Sequence, residues 1–316
     1  MNGSLEGKVA VVAGATRGAG RGIARMLGAA GATVYCTGRS VRGRPAGTRP
    51  ETIDETAAMV TGHGGVGIAV RTDHTVPDEV DALFARVRQE QGRLDVLVND
   101  VWGGDELTEF GAPFWRASID KGLLMLQRAV FAHVITSRYG APLLLDTGSG
   151  LIVEITDGDS YTYRGNIFYD LAKTSAIRLA FAMARELRRT KVTAVALTPG
   201  FLRSEAMLER FGVTEANWRD GAKKDPNFIA SETPAFVGRA IVALATDPNV
   251  GAKSGRVFSS WGLSDEYGFT DLDGERPHWG RHAEATYGAD VFKRCDEPFY
   301  EHWRGGPVEI LFPDWP

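Results

Sequence analysis

Short apolar runs of strand length alternate along the chain with longer stretches whose apolar residues recur at helical spacing. The runs KVAVVAG from Lys8, ATVYC (Ala32–Cys36), VGIAV (Val66–Val70), LDVLV (Leu94–Val98), LIVEI (Leu151–Ile155) and KVTAVAL (Lys191–Leu197) predict six strands, and RVFSS (Arg256–Ser260) a seventh. Helices are expected over Gly20–Ala30, Glu51–Val60, Pro77–Gln91, Phe114–Tyr139, Phe168–Arg189 and Pro234–Thr246. The strands carry few polar residues, as strands buried on both faces do. Their alternation with helices predicts an α/β fold, a doubly wound parallel sheet of about seven strands. Two segments break the rhythm. Ser40–Pro50 is a basic Gly/Pro loop. From Leu263 onward the strand and helix signals fade while aromatic residues accumulate, from Tyr267 and Phe269 to Phe312 and Trp315. The expected division is a domain over residues 1–262 and an aromatic-rich extension over 263–316. That extension is too aromatic for a disordered tail and is expected to pack on the domain or on a neighbouring subunit.

Composition narrows the classes. Hydrophobic residues at 43% and charged residues at 24% are ordinary globular usage, which excludes disorder as the main state. The 36 basic and 40 acidic residues leave a net charge of −4, against a nucleic-acid partner. No apolar run approaches the ~18–20 residues of a bilayer span, so no membrane partner is expected. The N-terminus lacks a basic region followed by an apolar stretch, and the chain has only Cys36 and Cys295. Both features fit a cytoplasmic protein without a disulfide framework.

After the first strand comes AGATRGAGRGIA, with Gly14, Gly18 and Gly20 spaced G-x-x-x-G-x-G. Glycines between a strand and a helix allow a tight turn and close approach to a pyrophosphate, and the helix N-terminus offers free N–H groups. A dinucleotide site is expected here. NAD sites place an acid at the end of the second strand, whereas a 2′-phosphate calls for arginine. The second strand ends CTGRS, with Arg39 and Ser40 and no acid, and Arg17 lies inside the glycine loop. These arginines predict NADP(H) over NAD(H). Arg42, Arg44 and Arg49 read as a solvated basic loop.

Tyr169 and Lys173 are four apart in a predicted helix and so share a face. A neighbouring cation favours the phenolate, which predicts a lowered tyrosine pKa and a proton carrier for a carbonyl or an alcohol. In order, the chain shows the glycine loop, Asp73 after the third strand, Asn99 after the fourth, Tyr169/Lys173 after the fifth and Pro199-Gly200 after the sixth. This ordered set over roughly residues 5–262 resembles the short-chain dehydrogenase/reductase superfamily, whose fold is of Rossmann type. VNDVWGGD and the extended C-terminus resemble its dehydrogenase/reductase family member 1 branch and bacterial relatives.

The resemblance implies roles. Gly14, Thr16, Arg17, Gly18, Ala19 and Gly20 hold the phosphates and adenosine ribose. Asp73, with His74 alongside, meets the adenine, and Asn99 fixes the sheet where the cofactor crosses it. Lys173 holds the nicotinamide ribose and supports Tyr169. Pro199, Gly200 and Leu202 line the nicotinamide, and Ser204 stands where a threonine contacts the cofactor. Homodimers or homotetramers are implied.

Three departures from the family pattern stand out. Asn-Asn-Ala-Gly reads Asn99-Asp100-Val101-Trp102-Gly103, so Trp102 enlarges a small position. The Ile-Ser-Ser stretch reads Ile155-Thr156-Asp157. Spacing to Tyr169 favours Thr156 as the catalytic serine's replacement, and motif alignment favours Asp157. Thr156 has the advantage that its hydroxyl donates without a pKa shift, whereas Asp157 donates only when protonated. The family's catalytic asparagine falls on Gly122, which keeps the carbonyl used in its water relay and loses the side chain.

Other residues carry weaker signals. His278 and His282 are four apart, but no third ligand is evident, and no metal is expected. His63, His133 and His302 are isolated and read as structural or exposed. Tyr161, Tyr163, Phe168, Phe201 and Met207 are candidates for lining a substrate pocket. The expected activity is an NADP(H)-dependent carbonyl–alcohol oxidoreductase acting on a small apolar or aromatic substrate. The rivals are a cofactor-binding sensor or scaffold and a non-redox NADP-dependent lyase or epimerase.

Overall fold

The computed structural model describes residues 3–160 and 163–288. Seven strands form one parallel sheet in the order β3-β2-β1-β4-β5-β6-β7. They are β1 Val9–Ala13, β2 Thr33–Gly38, β3 Val66–Arg71, β4 Val96–Asn99, β5 Gly150–Ile155, β6 Val192–Thr198 and β7 Val257–Ser259. Every residue of β1, β4 and β6 is buried, which explains their unbroken apolar runs.

The helices are α1 Gly18–Ala29, α2 Ile53–Gly62, α3 Pro77–Gln91, α4 Ile119–Leu126, α5 Ala132–Thr147, α6 Ile167–Glu186, α7 Glu205–Phe211, α8 Pro234–Thr246, α9 Ser260–Tyr267 and α10 Trp279–Tyr287. Helices α1, α2 and α8 share one core with the sheet, while α3 and α5 build the other with Val11, Tyr35 and Leu97. Cys36 is buried in β2, where burial pushes its thiol up to about 12. Helices α1 and α8 approach at backbone distance: a Cβ on Gly22 would lie 2.1 Å from the Pro234 carbonyl oxygen.

The strand order reverses between β1 and β4, and the crevice outside their carboxyl ends is the switch point where such sheets bind ligands. Gly14 leaves β1 there with φ +89°, and a Cβ on it would lie 2.3 Å from the Asp100 carbonyl oxygen. Only glycine fits, and the Asp100 N–H in turn donates to the Ala13 carbonyl at 2.9 Å.

The structure departs from expectation in three places. The helix expected over Phe114–Tyr139 begins at Ile119 and extends to Thr147, as α4, a π turn at Gln127–Phe131, and α5. Ser118 sets that start by accepting the Lys121 N–H, leaving Phe114 and Trp115 exposed. Helix signals do not end at residue 263. Instead, α9 runs across the expected boundary at 262, and α10 follows with His278 as its cap. Helix α7, capped by Ser204, was also not anticipated. Residues 263–288 pack against the rest of the described chain. Leu263 and Phe269 join its core, Phe269 packs on Phe236, and Asp271 accepts the Thr233 N–H at 2.8 Å. Cys295, His302 and the aromatic residues from Phe292 onward lie outside the described residues, as does Tyr161. Among the described residues, no helix is long and apolar enough to cross a membrane.

Candidate active site

A cavity of about 740 Å³ opens at the carboxyl ends of the strands, between the glycine loop and α7. Gly14, Thr16, Arg17, Gly18 and Ala19 form one wall. Gly20 stays behind it because its backbone presses on Gly14: a Cβ there would lie 2.4 Å from the Gly14 oxygen and 2.9 Å from Asp100 Oδ2.

The second-strand end of the cavity carries Arg39, Ser40, Asp73 and His74. Arg39 Nη1 lies 3.8 Å from Asp73 Oδ2 and Arg17 Nη1 3.9 Å from Glu51 Oε2, and both arginine side chains are 38% exposed. Both arginines line the cavity. Ser40 is buried and its hydroxyl accepts the Ala46 N–H. Asp73 Oδ1 accepts from the Thr75 N–H and hydroxyl. His74 turns inward, its ring nitrogens each 2.8 Å from the hydroxyls of Thr37 and Thr136. Burial pushes its imidazole down to about 3, so it is neutral.

The opposite end holds the tyrosine and lysine. Asn166 caps α6 by accepting the N–H groups of Phe168 and Tyr169, which sets the helix phase. Tyr169 Oη donates to Asp157 Oδ2 at 2.8 Å. The two candidates for the serine position therefore separate. Asp157 meets the tyrosine, whereas Thr156 is buried and spends its hydroxyl proton on the Lys173 carbonyl at 2.7 Å.

Lys173 Nζ lies 3.9 Å from the centre of the Trp102 ring and 5.5 Å from that of Tyr169. The enlarged position of the Asn-Asn-Ala-Gly stretch is thus a cation–π seat for the lysine. Trp102 and Phe110 also flank Tyr169 edge-on, at 5.5 and 5.4 Å.

The expected lowering of the Tyr169 pKa is not found. Burial pushes the phenol well above its ordinary value, the Asp157 carboxylate adds to that, and Arg164 only partly opposes it. Burial also lowers Lys173, against the pull of Asp157, Asp100 and Asp105. Asp100 is pushed up to about 7 by burial, offset by Lys173, His133 and the Gly20 N–H.

Asn99 stands behind the cavity rather than in it. Its side-chain amide donates to Glu154 Oε1 at 2.6 Å and to Ser137 at 2.8 Å, tying β4 to β5 and α5. His133 continues this network to Glu154 Oε2 at 2.6 Å and to the Val101 carbonyl at 3.0 Å, which fixes the chain leading into Trp102. Pro199, Gly200, Leu202 and Ser204 line the cavity. Gly200 is held by a 2.9 Å bond from its N–H to Glu232, a carboxyl that burial pushes up to about 8.

Of the candidates for lining a substrate pocket, Phe201 and Met207 line the cavity; Tyr163 is exposed, and Phe168 packs on Gly122. Asp105, Asp225, Asn227, Trp261 and Trp279 line it without having been anticipated. The last four come from segments where no strand or helix period was legible. His278 bonds Asp265 and caps α10, and His282 bonds Asn227, so the two do not converge on one point.

A doubly wound sheet with a glycine loop at its switch point and a Tyr/Lys pair across the crevice defines a short-chain dehydrogenase. The short chain dehydrogenase family profile matches residues 8–212. Dehydrogenase/reductase SDR family member 1 of Mus musculus is 38% identical over 275 residues, covering 85% of each chain. The Homo sapiens protein of that name is 37% identical over 278 residues, covering 87% of this chain and 86% of its own. A 3-oxoacyl-[acyl-carrier-protein] reductase of Vibrio harveyi is 31% identical over 237 residues, 72% of this chain and 88% of its own. A crystal structure of a putative dehydrogenase from Xanthomonas campestris superposes with a TM-score of 0.72 at 25% identity, covering 86% of this chain and 94% of that one. The chain belongs to the short-chain dehydrogenase/reductase superfamily, in the branch of dehydrogenase/reductase family member 1.

Gly122 yields a test of the site's packing. A Cβ on it would lie 2.4 Å from the Phe168 ring. Gly122→Asn should therefore cost about 1–3 kcal/mol in urea unfolding through overpacking, and Phe168→Ala should recover part of that loss in the double variant. Full stability of Gly122→Asn alone would contradict this packing.

Proposed function

We propose that the protein is an NADP(H)-preferring oxidoreductase that interconverts a carbonyl and an alcohol, with Tyr169 as its proton carrier and Asp157 as the acceptor that holds its phenol. The observation that carries this reading is the 2.8 Å Tyr169–Asp157 hydrogen bond, in one cavity with Lys173 and the glycine loop. The residues fit a nicotinamide dinucleotide: Gly14 and Gly20 leave no room for a Cβ, and Arg17 and Arg39 face the adenosine end. Trp102, Phe110, Phe201, Trp261 and Trp279 favour a small apolar or aromatic substrate. The exposed apolar side chains Ile119, Leu123, Phe131, Val134 and Leu171 favour a homodimer or homotetramer, and the sparse cysteines favour a cytoplasmic location. The sensor, lyase and epimerase readings gain no supporting observation.

A bound cofactor would supply or take up the hydride. In reduction, Tyr169 Oη gives its proton to the carbonyl oxygen as negative charge develops there. Burial and Asp157 keep the phenol protonated through neutral pH, so the proton is present for reduction, but they also make it harder to give up than that of an ordinary phenol. Oxidation needs the phenolate, which the same two causes disfavour. Lys173, next to the Tyr169 ring, offsets part of the charge left on the tyrosine.

Two predictions follow from this assignment. A carbonyl panel assayed with NADPH and NADH should show turnover, with NADPH bound more tightly in calorimetry. Arg39→Asp should narrow or reverse that difference; tighter binding of NADH by the unmodified protein would contradict the cofactor assignment.

The second prediction concerns pH. Reduction should hold its rate through neutral pH, whereas alcohol oxidation should be weak there and climb toward and beyond pH 10, the ordinary tyrosine value. Asp157→Asn removes a negative charge that raises the tyrosine pKa, so its oxidation limb should move to lower pH. Tyr169→Phe should lose about 10²–10⁴ in both directions and keep cofactor binding. An oxidation limb that stays in place in Asp157→Asn would contradict the role given to Asp157.

A further inference from the structure

We propose that Arg164 is a positioning residue: it pins the loop that carries Asp157 to the helix that carries Tyr169, and so holds the acceptor on the phenol. The proposal rests on the reading of Tyr169 as the proton carrier.

Asp157 stands two residues beyond the end of β5. The chain then turns at Gly158, with φ +79°, and the Gly158 N–H donates to Thr198 Oγ1 on β6 at 2.8 Å. Arg164 lies just before α6, and its side chain is only 9% exposed. An arginine is buried this far only where its donors are met. Its planar fork divides between two elements. On the loop, Nε donates to the Asp157 carbonyl at 2.5 Å and Nη2 to the Ser160 carbonyl at 2.6 Å. On the helix, Nη1 reaches Asp170 Oδ1 at 3.3 Å and Thr174 Oγ1 at 3.4 Å. Asp170 and Thr174 directly follow Tyr169 and Lys173 in the sequence. The Arg164 backbone N–H adds a second bond to Asp170 Oδ1, at 3.1 Å. A Cβ on Gly158 would lie 3.0 Å from Nη2, so glycine there lets the fork close on the loop. One rigid group thus spans both sides of the Tyr169–Asp157 hydrogen bond. A lysine, a point charge without a fork, could not make the same set of bonds.

The charges around the phenol give the pin a signature with a sign. Asp157 and Asp105 favour the neutral phenol, Arg164 opposes them, and Lys173 Nζ lies 5.5 Å from the ring centre. Asp170 and Asp159 are the other carboxylates that interact with the guanidinium. The Asp157 carboxylate weighs more on the phenol than Arg164 does. If Arg164 acted through its charge alone, removing it would make the phenol harder to ionise. If it holds Asp157 in place, removing it frees the stronger carboxylate, and the phenol ionises more easily.

The test follows the pH dependence of alcohol oxidation, using NADP and the alcohol of the best ketone in the carbonyl panel, together with crystal structures of the variants. Arg164→Met and Arg164→Lys should each move the oxidation limb to lower pH by about one unit. The lysine variant should move it further, because it keeps the cation. Gly158→Ala, which crowds Nη2 and leaves Arg164 and Asp157 intact, should shift the limb in the same direction. In an Asp157→Asn background the sign should reverse, with Arg164→Met moving the limb to higher pH, because only the lost cation then counts. A limb that stays in place or rises in Arg164→Met alone would overturn the pin and leave Tyr169 as the proton carrier. So would a limb unmoved in Arg164→Lys beside a loss of stability in urea, the mark of a merely structural arginine. The crystal structure of Arg164→Lys decides without turnover. Asp157 Oδ2 should lie beyond hydrogen-bond reach of Tyr169 Oη, and a persisting bond would overturn the pin. Absence of turnover in the unmodified protein across the panel would instead count against the oxidoreductase reading.

Discussion

The contact between Gly14 and the Asp100 carbonyl is the constraint on which the rest of the site depends. It brings the exits of β1 and β4 to backbone distance at the point where the strand order reverses. From one side of that contact the chain enters the glycine loop and α1. From the other it runs through Val101 to Trp102, the seat of Lys173. A side chain larger than hydrogen at position 14 would separate the two halves of the cavity, so the glycine loop and the Tyr169/Lys173 pair share one backbone fulcrum.

Behind this fulcrum lies a fully buried polar network. Asn99, Ser137, His133 and Glu154 link β4, β5 and α5 through hydrogen bonds of 2.6–2.8 Å, and His133 reaches forward to the Val101 carbonyl. Buried polar groups are costly when unpaired and rigid when paired. The network therefore fixes the Trp102 chain without any residue of α4 taking part, and Gly122 is left to accommodate Phe168. The consequence reaches the chemistry: with Lys173 over Trp102 and Asp157 on the phenol, the electrostatics of the site hold Tyr169 protonated.

Much of the fold was legible because it follows from burial. Strands buried on both faces announce themselves as apolar runs, and α3 and α8 begin and end where Pro77, Gln91, Pro234 and Thr246 place them. Short capped helices were not legible. Helices α7, α9 and α10 depend on Ser204, Ser259 and His278 as caps and carry too few turns to show a period. The cradle, the Tyr/Lys spacing and the cavity-lining Pro199-Gly200 turn could be read from order along the chain. Where the Thr156 hydroxyl points could not, because that turns on one acceptor, the Lys173 carbonyl. The direction of the Tyr169 shift was equally hidden, since Lys173 faces an indole and an acid faces the phenol.

The central claim is that burial and the Asp157 carboxylate hold Tyr169 as a neutral phenol. The most direct measurement is an ultraviolet difference titration of tyrosinate absorbance, unmodified protein against Tyr169→Phe. The account predicts no ionisation assignable to Tyr169 at or below the ordinary tyrosine value of 10.0. A tyrosinate signal that titrates near neutral pH and disappears in Tyr169→Phe would contradict it.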